Sequence, residues 1–266
     1  MLSLALVVFA FLAGATAVPT GDHDLARLNM LGYISPYHKA PIPFGVAKEL
    51  PNDCKVDQVM LMARHGSRTP SFELPLIKAM TEQLARASDA IARAKLPKEL
   101  VFLKKGYQTT LSEGTMTAAG RQQILEHGKF KQKYPHLKVD GLLAGDIPRV
   151  VESAELFAKA YFGDDWQTNP AASISKIAED DVTVSWITSF LTCPKWGFET
   201  SDQDTAVWES IFLPSISRRL NKAIPGLGFT DKHALGALYA CPYDFADTEK
   251  SPWCNVFSDK ELADFA

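Results

Sequence analysis

The chain has 266 residues, of which 46% are hydrophobic and 22% charged, a balance that excludes disordered, collagen-like and low-complexity classes and allows a sizeable core. Lys and Arg total 28 against 31 Asp and Glu, a net charge of -3, so there is no overall basic field of the kind that nucleic-acid binding needs. An anionic small molecule is not excluded, because a local arginine cluster can hold one inside a mildly acidic protein.

Residues 1–17 read MLSLALVVFAFLAGATA. Leu4 to Ala13 is an apolar run, no side chain is charged, and Ala15-Thr16-Ala17 is a small-x-small cleavage pattern. These features predict a secretory signal cut after Ala17 and an extracellular or cell-wall destination. No other stretch is apolar for long enough to span a bilayer, so no membrane association is expected after cleavage.

Residues 18–55 carry Pro36, Pro41, Pro43 and Pro51 with few periodic apolar positions, which predicts an irregular surface arm. Val56 to Met62 is a short apolar run that suits a buried strand, and it leads directly into Arg64-His65-Gly66-Ser67-Arg68-Thr69-Pro70. Thr69 and Pro70 read as an N-cap and first helical residue. A helix-rich stretch then runs to about Lys95, and its polar composition (TEQLARASDAIARAK) predicts an exposed helical layer. Thr117 to Tyr134 reads as a helix stopped by Pro135. Val139 to Ala144 is a second candidate strand. Val150 to Phe162 places Val151, Ala154, Phe157 and Tyr161 at helical spacing and ends at Gly163. Val182 to Ile187 suits a third strand, Asp202 to Ala223 a helix interrupted near Pro214, and Lys232 to Ala240 a further helix. Strands alternating with helices predict an α/β fold with a helical subdomain.

Cys54, Cys193, Cys241 and Cys254 would meet an oxidising compartment after secretion, where bridges form. Cys241 and Cys254 flank the short segment PYDFADTEKSPW and are expected to pair with each other. There is no C-x-x-C, and the six His show no ligand spacing, so neither a metal nor a cofactor is expected. No Asn-x-Ser/Thr sequon occurs, so N-glycosylation is not expected.

The heptad at 64–70 carries the chemistry. A phosphoryl group in transfer spreads negative charge over three equatorial oxygens. Arg64 and Arg68 supply fork-shaped donors that match them, at roughly 1.5–3 kcal/mol for each charge-assisted hydrogen bond. Gly66 lets the backbone approach the substrate, and a helix start after Pro70 adds a favourable dipole. His65 lies between the guanidiniums, whose field disfavours imidazolium and leaves one ring nitrogen nucleophilic at acid pH. Attack on phosphorus would give a phosphohistidine that water then hydrolyses.

R-H-G-x-R-x-P after a strand resembles the histidine acid phosphatase family, within the phosphoglycerate-mutase-like superfamily. Asp146-Ile147-Pro148-Arg149-Val150-Val151-Glu152-Ser153-Ala154-Glu155-Leu156-Phe157 resembles the family's second element, an Arg entering a helix. Leu111 to Gln123 resembles its LT-x-x-G-x-x-Q helix start. Ala240 to Phe257 resembles the disulfide-bracketed loop of secreted fungal acid phosphatases and phytases. The likeness begins near Leu31 and reaches the last residue.

The resemblance implies a three-layer sandwich with a helical subdomain. Residues 18–266 would form a partial domain, incomplete at its C-terminus, with helical insertions within about 71–135 and 200–266. It implies His65 as the phospho-accepting nucleophile, Arg64, Arg68 and Arg149 as the phosphate clamp, and small-molecule phosphate esters as partners. The family's leaving-group proton comes from a C-terminal His-Asp or His-Ala-Glu segment, and none precedes Ala266. His23-Asp24 precedes the nucleophile, and His233-Ala234-Leu235 has Leu where the acid belongs, so both histidines read as ordinary solvated or packed ones. Cys54 and Cys193 match positions that pair with cysteines further along in the family; here they either pair with each other or remain free.

The first functional expectation is a secreted acid phosphatase that hydrolyses phosphomonoesters, phytate or simpler ones, through a phosphohistidine. The alternative is a shortened, weakly active or inactive phosphate-binding remnant. A mutase-type phosphotransferase is disfavoured by the secretory signal.

Overall fold

The computed structural model describes residues 28–29, 31–35, 51–139, 141–180, 193, 195–197 and 201–266. The signal segment, His23-Asp24, most of the arm over 18–55 and the strand expected at Val182 to Ile187 lie outside these residues. In chain order the described elements are α1 (Leu74–Arg86), α2 (Ser88–Arg93), α3 (Ala118–Gly128), α4 (Phe130–Lys133), β1 (Leu142–Gly145), α5 (Pro148–Phe162), β2 (Ile174–Ile177), α6 (Asp202–Ala223), α7 (Asp231–Thr248) and α8 (Asp259–Phe265). β1 and β2 pair in parallel, with Leu142 opposite Ile174 and Gly145 opposite Ile177. Their crossover runs through α5, giving the α/β arrangement expected of strands alternating with helices.

Two packed regions meet at the 64–70 loop. In one, α1 and α6 both pack on α7, and Ile77, Met80, Ile216, Leu220, Ala237 and Leu238 are almost wholly buried between them. In the other, α3 packs on α5 and α5 on β1, burying Ile124, Ala158 and Ala144. The local signals that start and stop the helices are those of the sequence. The Thr117 side chain accepts from the Gly120 N–H to cap α3, Gly163 ends α5 with φ 109°, and Thr230 and His233 form a capping box on α7. The Cys241–Cys254 disulfide is formed, with Cα atoms 4.7 Å apart, and ties α7 to the turn of 3-10 helix at Pro252–Asn255. Cys54 and Cys193 are exposed free thiols, not a pair.

Several sequence expectations are corrected. Val56 to Met62 forms no ladder with any described residue, and Met60 and Met62 are 89% and 88% exposed. An apolar run is buried only where neighbours cover both its faces, and no described element does so here. Thr69 and Pro70 do not open a helix. Thr69 N–H instead donates to Thr115 O, α1 begins at Leu74, and Pro75 occupies its first turn, where a missing N–H costs nothing. The stretch that follows is not an exposed layer. α1 turns Ile77, Met80, Thr81 and Leu84 into the core and keeps its polar residues on the other face.

The α6 helix passes through Pro214 without interruption. Phe212, Leu213, Ile216 and Leu220 are buried around it, and that packing outweighs the roughly 3 kcal/mol an internal proline costs. α7 likewise continues through Pro242 to Thr248, so about half of the expected loop between the bridged cysteines is helix.

Ile216 is fully buried at the α6–α7 contact. Ile216→Ala is expected to lower stability by about 2–5 kcal/mol, read as a fall in the denaturant midpoint.

Candidate active site

The 64–70 loop owes its position to the start of α3. Gly66 and Gly120 face each other so closely that a Cβ on Gly66 would overlap the Gly120 backbone, and one on Gly120 would overlap Ser67. Ser67 N–H and Oγ–H both donate to Gln123 Oε1, at 3.0 and 2.9 Å. Ser67 O accepts from Thr117 N–H and from Thr117 Oγ1–H, at 2.9 and 3.1 Å. From the other side, Gly66 N–H donates to Ser153 Oγ at 3.3 Å, and Ser153 Oγ–H donates to Arg149 O at 2.8 Å. The first turn of α5 thereby carries Arg149 to the loop.

The four expected site residues come together. Arg149 Nε–H donates to His65 Nε2 at 3.1 Å, and the His65 ring is half-buried. His65 Nδ1 lies 2.8 Å from Gly66 O. The partners fix the tautomer: a carbonyl oxygen only accepts, so Nδ1 carries the proton, and a guanidinium only donates, so Nε2 carries the lone pair. Burial pushes the His65 pKa down to about 4, with Arg64, Arg149 and Arg68 adding to the fall and the Gly66 hydrogen bond opposing it. Arg64 is exposed and donates to Tyr33 O at 3.0 Å. Arg68 is mostly buried and donates to Thr69 O at 2.8 Å, while its Nε is buried with no hydrogen-bond partner among the described residues.

A cleft of about 960 Å³ opens beside the imidazole. Tyr33, Met62, Arg64, Arg68 and Tyr243 are among the residues lining it. Among the described residues no group of three or more His, Cys, Asp or Glu is placed to hold a metal, and no helix is long and apolar enough to cross a membrane. His233 lies away from this site in the α7 cap, where its Nδ1 accepts from Thr230 N–H at 3.1 Å.

Sequence reasoning gave Gln123 only as part of a helix-start pattern, and Ser153 only as part of the run after Arg149. It missed Tyr33 and Glu73. Tyr33 reaches the site from the arm, and Glu73 looks in the sequence like any carboxylate near a helix start.

The model of the histidine phosphatase superfamily (branch 2) matches residues 55–266. The chain belongs to that family. It is 30% identical over 255 residues to Phytase A of Aspergillus fumigatus, with 89% of this chain and 53% of that protein covered. It is 26% identical over 273 residues to the thiamine-repressible acid phosphatase pho4 of Schizosaccharomyces pombe, with 95% of this chain and 58% of that protein covered. The phytase from D. castellii shares its fold, with a TM-score of 0.74 at 23% identity over 90% of this chain and 55% of that one. The chain thus spans little more than half the length of each of these histidine phosphatase relatives.

Two predictions follow from the geometry. Gly120→Ala is expected to destabilise the protein and to weaken inorganic phosphate binding together, because the methyl group meets backbone that cannot move aside; thermal melting and calorimetric titration read the two. The His65 pKa lies below its unfolded value, so the unfolded chain binds the extra proton first as pH falls. The His65 contribution to stability is therefore complete above about 6.5 and lost progressively down to about 4. Urea denaturation across that window is expected to show a smaller pH slope in His65→Gln than in the wild type.

Proposed function

We propose that this chain is the phosphate-capturing part of a secreted acid phosphatase that hydrolyses phosphomonoesters, phytate among them, through a phosphohistidine at His65 Nε2. The observation that carries this reading is the neutral imidazole with its lone pair on Nε2 amid Arg64, Arg68 and Arg149. Relatives named phytase and acid phosphatase support the substrate class. Residues 18–266 would form the partial catalytic domain.

In this mechanism the three guanidiniums bind the phosphoryl oxygens, and the anion draws Arg149 from His65. Nε2 then attacks phosphorus in line, the P–N bond forms, and the P–O bond to the leaving group breaks. Water attacks the phosphohistidine in the second step, releasing inorganic phosphate and restoring the lone pair. The arginines stabilise both transition states, because both displace negative charge onto the same oxygens. We assign no leaving-group acid within residues 1–266.

A second reading, a phosphate-binding form with weak turnover, rests on the neighbours of His65, whose hydrogen-bond partners among the described residues are Gly66 and Arg149 and no carboxylic acid. The two readings separate on leaving groups. Activated aryl phosphates are expected to react far faster than alkyl phosphates, by about 10²–10⁴-fold. Equal rates would show that an acid is at work. His65→Ala is expected to abolish turnover of an aryl phosphate, and unchanged hydrolysis would remove His65 as nucleophile. Arg149→Ala is expected to weaken inorganic phosphate binding by about 10–100-fold in titration calorimetry.

A further inference from the structure

We propose that Glu73 is a positioning residue that holds Arg68, one of the guanidiniums that flank His65. This rests on the reading of Arg68 as part of the phosphate clamp and adds to it the group that aims it.

Glu73 is a carboxylate only 6% exposed, a placement that costs free energy unless its oxygens are paired. Ser71 N–H donates to Oε2 at 2.9 Å, and Tyr33 O–H donates to Oε1 at 3.1 Å. Arg68 stands 3.9 Å from Oε2, with both side chains mostly buried. At that separation the pair is a charge contact rather than a hydrogen bond. Arg68 Nε has no partner among the described residues and is left to meet an anion. Burial alone would raise the Glu73 pKa. Hydrogen bonds from backbone N–H groups and from Tyr243, with the Arg68 charge, outweigh it and hold the group ionised.

Three guanidiniums around one imidazole repel one another and would splay in the absence of an anion. A carboxylate beside Arg68 reduces that repulsion and sets the direction of its guanidinium. The same charge opposes the incoming phosphate, so it favours orientation at the expense of affinity.

That trade sets the test. Glu73→Gln is expected to lower kcat on an aryl phosphate by about tenfold or more. KM and the inhibition constant for inorganic phosphate are expected to stay the same or fall, because an opposing negative charge is gone. A purely structural role would weaken phosphate binding along with kcat, and that outcome overturns the proposal, as does an unchanged kcat. Glu73→Asp keeps the charge but withdraws it from Arg68; it is expected to lower kcat without tighter phosphate binding, and it decides the matter if Glu73→Gln does not fold. Wild-type protein that neither binds inorganic phosphate nor turns over the ester overturns the phosphatase reading itself, and this inference with it.

Discussion

Everything in this site follows from keeping one imidazole uncharged amid cations. Burial and three guanidiniums act in the same direction on His65, and the hydrogen bond to Gly66 O decides which nitrogen keeps the proton. The nitrogen that keeps the lone pair is then the one that faces Arg149. The positive field suited to an anion adds to burial in keeping the histidine from becoming an imidazolium in the mildly acid range.

The scaffold serves that arrangement by bringing backbone against backbone. Gly66 packs on Gly120, and the start of α3 supplies Thr117 and Gln123 to the loop. The start of α5 supplies Arg149 and Ser153. Two helix N-terminal regions therefore converge on one short turn, a region of positive backbone potential suited to an anion. The helical region built from α1, α6 and α7 supports the other side, where Tyr243 and Tyr33 close over Glu73.

Much of this was legible because the relevant chemistry is local. The arginine–histidine heptad lies in a single turn, and Thr117, Pro148 and Gly163 mark helix ends by rules that act over a few residues. The limits were equally physical. Val56 to Met62 carries the composition of a buried strand, but composition does not supply the neighbours that bury it. The helix after Pro70 looked exposed because its charged residues dominate the count, whereas Ile77, Met80 and Leu84 recur at the helical period and face α7. Pro214 reads as an interruption until the packing around it is known. Glu73 was invisible as a site residue, since nothing in its immediate sequence says that it stands beside Arg68.

The stretch that precedes His65 has a consequence of its own. Residues 57–64 are exposed and pair with no described strand, with Met60 and Met62 turned to solvent. An exposed stretch with no ladder bonds to described residues is the kind of segment a protease cuts. A cut within this stretch would leave the arginine–histidine turn joined to the helical body. The exposed Met62 thioether that lines the cleft is likewise open to peroxide, which would turn a greasy side chain there into a polar sulfoxide.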